Sequence, residues 1–137
     1  MAQMTPEQLT AFLVEPNIAH FVTVRADGSP HAVPLWYEYV DGDFYIFTPS
    51  TSFKLKNLAR DLHMTLSIAS EAKPYRYVVA NGTAEILEGD VGERVVSIAS
   101  RYEGAEGGAA YYESLKQRFK VVVIKLTPTH SREWISG

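Results

Sequence analysis

Residues 48–61, TPSTSFKLKNLARD, put four hydroxyls into five positions and follow them with a lysine and an asparagine three residues apart. Leu55, Leu58, Ala59 and Leu62 recur at helical spacing, so the stretch reads as a strand end, a short loop and a helix with Ser52 at its N-cap. The first turn of such a helix has unpaired N–H groups and the positive end of the dipole. A lysine there is unfavourable unless an anion lies between, and the pattern predicts a ligand phosphate. Lys54 and Asn57 share one face, whereas Lys56 points the opposite way. The plainer reading is a capped surface helix with solvated lysines. No GxxxxGK[ST] pattern is present, so the hydroxyl cluster is not a Walker loop.

Other candidate chemistry is sparse. His20, His31, His63 and His130 lack ligand spacing, so no metal site is expected. No GxGxxG motif marks a nicotinamide fold. Glu38 and Glu85 fall on strand-like runs and read as exposed or paired rather than as an acid and a base. Tyr75, Arg76 and Tyr77 offer a cation between two rings, suited to the rim of a site or to packing at a strand start. Tyr111 and Tyr112 follow a glycine-rich break, as a movable cover or as the buried face of a helix.

The elements that must position these residues alternate in the way strands do. Thr5, Pro6 and Gln8 predict a capped first helix ending before Pro16. IAHFVTVRA, HAVPLWYEYV and DFYIFTP form a meander turning at Asp27-Gly28 and Asp41-Gly42. HMTLSIAS and YRYVVANGTAEILE follow the Ser52 helix, with Gly82 at a bulge or close approach. Asp90 and Glu93 predict a capped helix through RVVSIASRY, which GAEGG separates from a second through AAYYESLKQRF. KVVVIKL and SREWIS close the chain as two strands. Such an order is mainly β with helical additions, an antiparallel barrel in one domain, 1–137.

The chain has 137 residues, 46% of them hydrophobic and 12% aromatic, with a formal charge of −3. This balance lacks the positive field of a general nucleic-acid or anionic-membrane binder. No cysteine is available for disulfides, thiolate metal sites or nucleophilic catalysis. Neither a leader nor a membrane span is expected, which points to a soluble, cytoplasmic protein. FYIF and VVVI are apolar on both sides. A small barrel buries one face in its own interior, so the other calls for a cover, and a homodimer walling the ligand site is expected.

VTVRADGSPHAVPLWYEYVDGDFYIFTPSTSFKLKNLARD and YRYVVANGTAEI resemble the split β-barrel flavin-binding superfamily typified by pyridoxamine 5′-phosphate oxidase. DGSPHAVPLWY, KLKNLARD, PYRYVVANGTAEI and RYEG look most like its small group of deazaflavin (coenzyme F420) dependent oxidoreductases. The resemblance implies a homodimeric, Greek-key split barrel with cofactor sites at the subunit interface. Carried over by position, Val33, Pro34, Leu35 and Trp36 border the ring system, and Thr48, Ser50, Ser52, Lys54 and Asn57 hold the tail and phosphate. Arg76 and Tyr77 are rim candidates, and Trp134 is a second stacking wall. Hydride chemistry belongs to such a cofactor, so no catalytic side chain is expected. An arginine-rich C-terminal region is missing from the pattern, which argues against vitamin B6 oxidation. The implied activity is hydride transfer from F420 to a small conjugated substrate. FMN is the alternative cofactor, and a non-catalytic flavin- or haem-binding module the alternative role. Lys54, Lys56, Arg60, Lys73 and Arg76 are the cations expected to meet the longer anionic tail of the deazaflavin.

Overall fold

The first helix starts as its sequence dictates. In the computed structural model, which describes residues 2–136, the Gln8 amide donates to Thr5 Oγ1 at 3.2 Å and the Thr5 amide to Gln8 Oε1 at 2.9 Å. This reciprocal cap opens α1 (Pro6–Leu13). The remaining elements are β1 (Ala19–Val24), β2 (Pro30–Leu35), β3 (Glu38–Val40), β4 (Asp43–Pro49), α2 (Phe53–Arg60), β5 (His63–Ala69), β6 (Arg76–Leu87), α3 (Gly92–Arg118) and β7 (Val121–Ile135).

All strand pairs are antiparallel, in the order β2-β1-β5-β6-β7-β4-β3. β2 and β3 are opposite edges of this sheet, yet only Trp36 and Tyr37 separate them in sequence. Three Cα steps reach about 11 Å, so the edges are drawn together and the sheet curls into a half-barrel. Here the expected single strand HAVPLWYEYV is broken in two. Side chains alternate across the curl, and Phe21, Ile46, Leu66, Ile68, Ala80, Ile124 and Leu126 fill its interior. Phe12 and Leu13 of α1 and Leu58 of α2 add to this core.

The second apolar face of β4 and β7 has its cover within the chain. Val91, Val95 and Leu115 lie on Val121 and Val123, with Tyr45 and Phe47 packed alongside. FYIF and VVVI therefore require no second subunit, and that argument for a dimer does not hold. Partly exposed outward residues remain elsewhere, at Val22, Val24, Tyr77, Val79 and Trp134.

Other differences are local. β7 is one continuous strand of 15 residues rather than two. Its Pro128, which lacks an N–H, falls opposite Gly82 where the register shifts between Asn81 and Gly82, so the proline does not end the pairing. A Cβ on Gly82 would lie 2.1 Å from the Thr127 carbonyl oxygen, so the glycine serves both bulge and close approach. α3 starts after Val91 without the side-chain cap expected from Asp90, and the glycine-rich break is a kink at Gly104 (φ 80°, ψ 167°).

Candidate functional site

Where the two sheet edges meet, a cavity of about 370 Å³ opens, lined by Val33, Pro34, Leu35, Trp36, Phe47, Thr48, Pro49, Lys54, Tyr111 and Leu115. Four consecutive residues of β2 and its exit line one wall. A strand lines a cavity continuously only along its free edge, and β2 pairs on one side alone. Pro34 lies on that edge, where a missing N–H breaks no ladder bond. The facing wall is the end of β4, the floor carries Lys54 from α2, and α3 closes one side.

Trp36 belongs to the cavity and to the packing beneath α3. Its ring stacks on Tyr102 at 5.0 Å and 8°, and tilts against Tyr111 at 5.0 Å. Phe47 completes the aromatic wall at 6.4 Å from Trp36.

The floor is polar and underused. Lys54 is half-buried and has no ion pair or hydrogen bond among the described residues, and burial lowers its pKa. Thr48 Oγ1 and Ser52 Oγ are buried without a partner. Ser52 stands at the N-cap position of α2, but its hydroxyl makes no capping bond, contrary to expectation. Among the described residues no side chain therefore caps the helix end beside a cation without a counter-charge. His31 packs edge-on against Phe53 at 5.1 Å, and its Nδ1 is also buried and unpaired. Of these groups Thr48 and Lys54 line the cavity and Ser52 and His31 do not, so a cation and an unpaired hydroxyl are what it offers an anion.

The other sequence candidates do not converge here. Asn57 is fully buried, donating to Thr23 Oγ1 at 2.9 Å and accepting from Arg60 at 2.8 Å. Both of its amide atoms are thus used by the fold. Asn57→Ala is expected to lower stability by about 2 kcal/mol, read by urea unfolding. Ser50 faces an apolar recess with Leu55, Leu58 and Leu62. Arg76 lies in a separate recess, bound to the Glu15 carboxylate at 2.6 and 3.0 Å. Tyr77 and Trp134 are cross-strand partners and line no part of the seam. Of the five cations expected at a long anionic tail, Lys54 alone lines the cavity. Among the described residues no group of three or more His, Cys, Asp or Glu side chains is placed to hold a metal. No helix there is long and apolar enough to cross a membrane.

Two residues that carry weight escaped the sequence reading. The Arg101 guanidinium lies over the Tyr37 ring at 4.6 Å and donates to the carbonyls of Leu13 and Glu15, each at 2.9 Å, and of Tyr37. Tyr102 donates to the Asn17 carbonyl at 2.8 Å and accepts from the Tyr37 amide at 3.1 Å. Together they fix the two-residue link between the sheet edges. RYEG held both residues, but an arginine on a helix gives no local sign of its distant partners.

A seven-stranded curled antiparallel half-barrel with a cavity at the meeting of its edges is the split-barrel class of fold. The chain belongs to the pyridoxamine 5′-phosphate oxidase family, whose model matches residues 5–135. No curated protein matches it. Among solved structures, a conserved hypothetical protein from Mycobacterium tuberculosis is similar at 25% identity and a TM-score of 0.80. That match covers 96% of this chain and 85% of that one. An F420 reductase matches at 23% identity and a TM-score of 0.74, covering 93% and 98%. The haem storage protein HutZ from Vibrio cholerae matches at 16% and 0.73, covering 99% and 96%. Members of this fold group thus include proteins named for F420 and for haem, and a flavin-type cofactor is in keeping with the family.

Proposed function

We infer that the seam cavity binds a flavin-type cofactor, coenzyme F420 first and FMN as the alternative, for hydride transfer to a small conjugated substrate. The observation that carries this reading is Lys54, half-buried and without a counter-charge in the cavity that the unpaired hydroxyl of Thr48 also lines. In it Lys54 and the α2 amides hold the cofactor phosphate, and a charge-assisted bond there contributes roughly 1.5–3 kcal/mol. The β2 edge from Val33 to Leu35 borders the ring system, and Trp36 and Phe47 keep water from it. The bound cofactor supplies the hydride, so the chain's own work is to hold, orient and exclude water.

One convergent cation accounts for one phosphate, which both cofactors carry. The preference for F420 rests on the motif resemblance, and charge does not separate the two. A second copy is assigned to the outward face bearing Val22, Val79 and Trp134, which leaves Trp134 available to a neighbouring site. Parallel titration of the purified protein with FMN and F420, read by cofactor fluorescence, tests the reading. Selective F420 binding supports it, selective FMN binding moves it to the alternative, and binding of neither overturns it.

The lowered pKa of Lys54 adds a pH signature. Below that pKa the lysine is charged with or without an anion, and affinity is flat. As pH rises through it towards the ordinary 10.5, the free protein loses a proton that the complex retains, so affinity falls. Lys54→Arg, charged throughout, is expected to flatten the profile in the same titration.

A further inference from the structure

The two halves of α3 are fastened to the barrel in different ways. Before the kink, Arg94 and Ser97 bind the Glu38 carboxylate at 2.7 and 2.6 Å, and Arg101 and Tyr102 bond the Tyr37 carbonyl and amide in the link between the sheet edges. Val95, Ile98 and Ala99 are fully buried there. After it, no side chain of residues 105–118 forms a hydrogen bond or ion pair with the barrel among the described residues. The ion pair in this half, Lys116 to Glu113 at 2.8 Å, is internal. Gly108 and Leu115 are its buried residues, and Tyr112 is half-buried.

We propose that residues 105–118 are a cover over the seam cavity that lifts between two bends, Gly104 and the extended Phe119 before β7, while residues 92–103 stay fixed. Gly104 has φ 80°, which other residues rarely adopt, and nothing lies within 4 Å of the position a Cβ would take. Gly104 itself is open to solvent, so a change in its backbone angles displaces no side chain at that residue. The closed position is set by Gly108, where a Cβ would fall 2.2 Å from Ser100 Oγ and 2.7 Å from its amide nitrogen. On the cavity side the cover contributes Tyr111 and Leu115, with Tyr111 against Trp36 and Phe47. Opening withdraws one leucine and part of two tyrosines, a change of the size seen in local openings below global unfolding. It bares the aromatic wall of the cavity to a flat ligand. That last consequence rests on the cavity being the cofactor site, whereas the motion does not.

Hydrogen exchange on the ligand-free full chain tests the motion alone. Amides of residues 109–118 are expected to exchange about tenfold faster than those of residues 95–103. A second readout uses Trp134→Phe, which leaves Trp36 as the one tryptophan. Adding Gly108→Ala wedges the cover from Ser100 and is expected to raise acrylamide quenching of Trp36 about twofold or more. Equal protection of the two halves, or unchanged quenching in a folded Gly108→Ala variant, overturns the cover. If that variant does not fold, the exchange contrast in the unaltered chain decides. Since no cofactor is present, failure of the cofactor reading leaves these outcomes untouched.

Discussion

Lys54→Ala is expected to weaken binding of a flavin-type cofactor by about tenfold or more while leaving the free protein at least as stable. The two effects have one origin. Burial without a counter-charge disfavours the charged lysine in the free fold, and the lowered pKa expresses that cost. Removing the charge relieves it, whereas a bound phosphate would convert it into an attraction. A residue kept for packing behaves in the opposite way, losing stability and leaving affinity alone. Calorimetric titration with FMN and F420, together with thermal unfolding of the ligand-free variant, separates the cases. Unchanged affinity in a folded variant removes Lys54 as a phosphate ligand.

Arg101→Ala is expected to lower stability by about 3 kcal/mol, the range for breaking a buried polar network. One guanidinium holds carbonyls of Leu13, Glu15 and Tyr37, and so ties the C-terminal end of α1, the segment after it and the link between the sheet edges. Helix C-termini leave carbonyls without intrahelical donors, and an arginine is suited to several at once. Tyr37 helps by donating to the Leu13 carbonyl at 3.0 Å, and burial pushes its hydroxyl pKa up to about 12, so it remains a donor. Arg101→Lys is expected to recover part of the loss, since an ammonium replaces the charge but not the planar fork. Urea unfolding of the three proteins checks this order. Equal stability of Arg101→Ala and the unaltered chain would refute the assignment.

Features fixed by near neighbours were legible in the sequence. Thr5, Pro6 and Gln8 announced α1, Asp41-Gly42 gave a hairpin with positive φ at both residues, and Gly82 marked its bulge. Of the loop-to-helix stretch singled out at the start, Thr48 and Lys54 line the cavity, whereas Ser50 and Asn57 do not. What the sequence hid depends on distant partners. HAVPLWYEYV has no glycine at its break, and the alternation runs through Trp36 and Tyr37 although the sheet parts there. KVVVIKL and SREWIS read as two strands, but Pro128 between them falls at the bulge formed with β6 and the pairing continues through it. Asn57 faced the right way for a ligand, yet Thr23, 34 residues earlier, claims it. Arg76 likewise meets Glu15 across 61 residues. The outward face of FYIF seemed to need another subunit, although Val91, Val95 and Leu115 of the same chain lie on it.

The strand order carries a consequence for synthesis. β4 pairs only with β3 and β7, and β6 only with β5 and β7. β7, which follows the other six strands in the sequence, is thus the keystone between a four-stranded piece and a two-stranded one. While the ribosome holds residues 121–135, Trp36 and Tyr37 tether two pieces that have no shared edge, and the seam cavity does not yet exist. A nascent chain stalled after Arg118 is therefore expected to present unpaired edges on both pieces and to be a chaperone client during that interval.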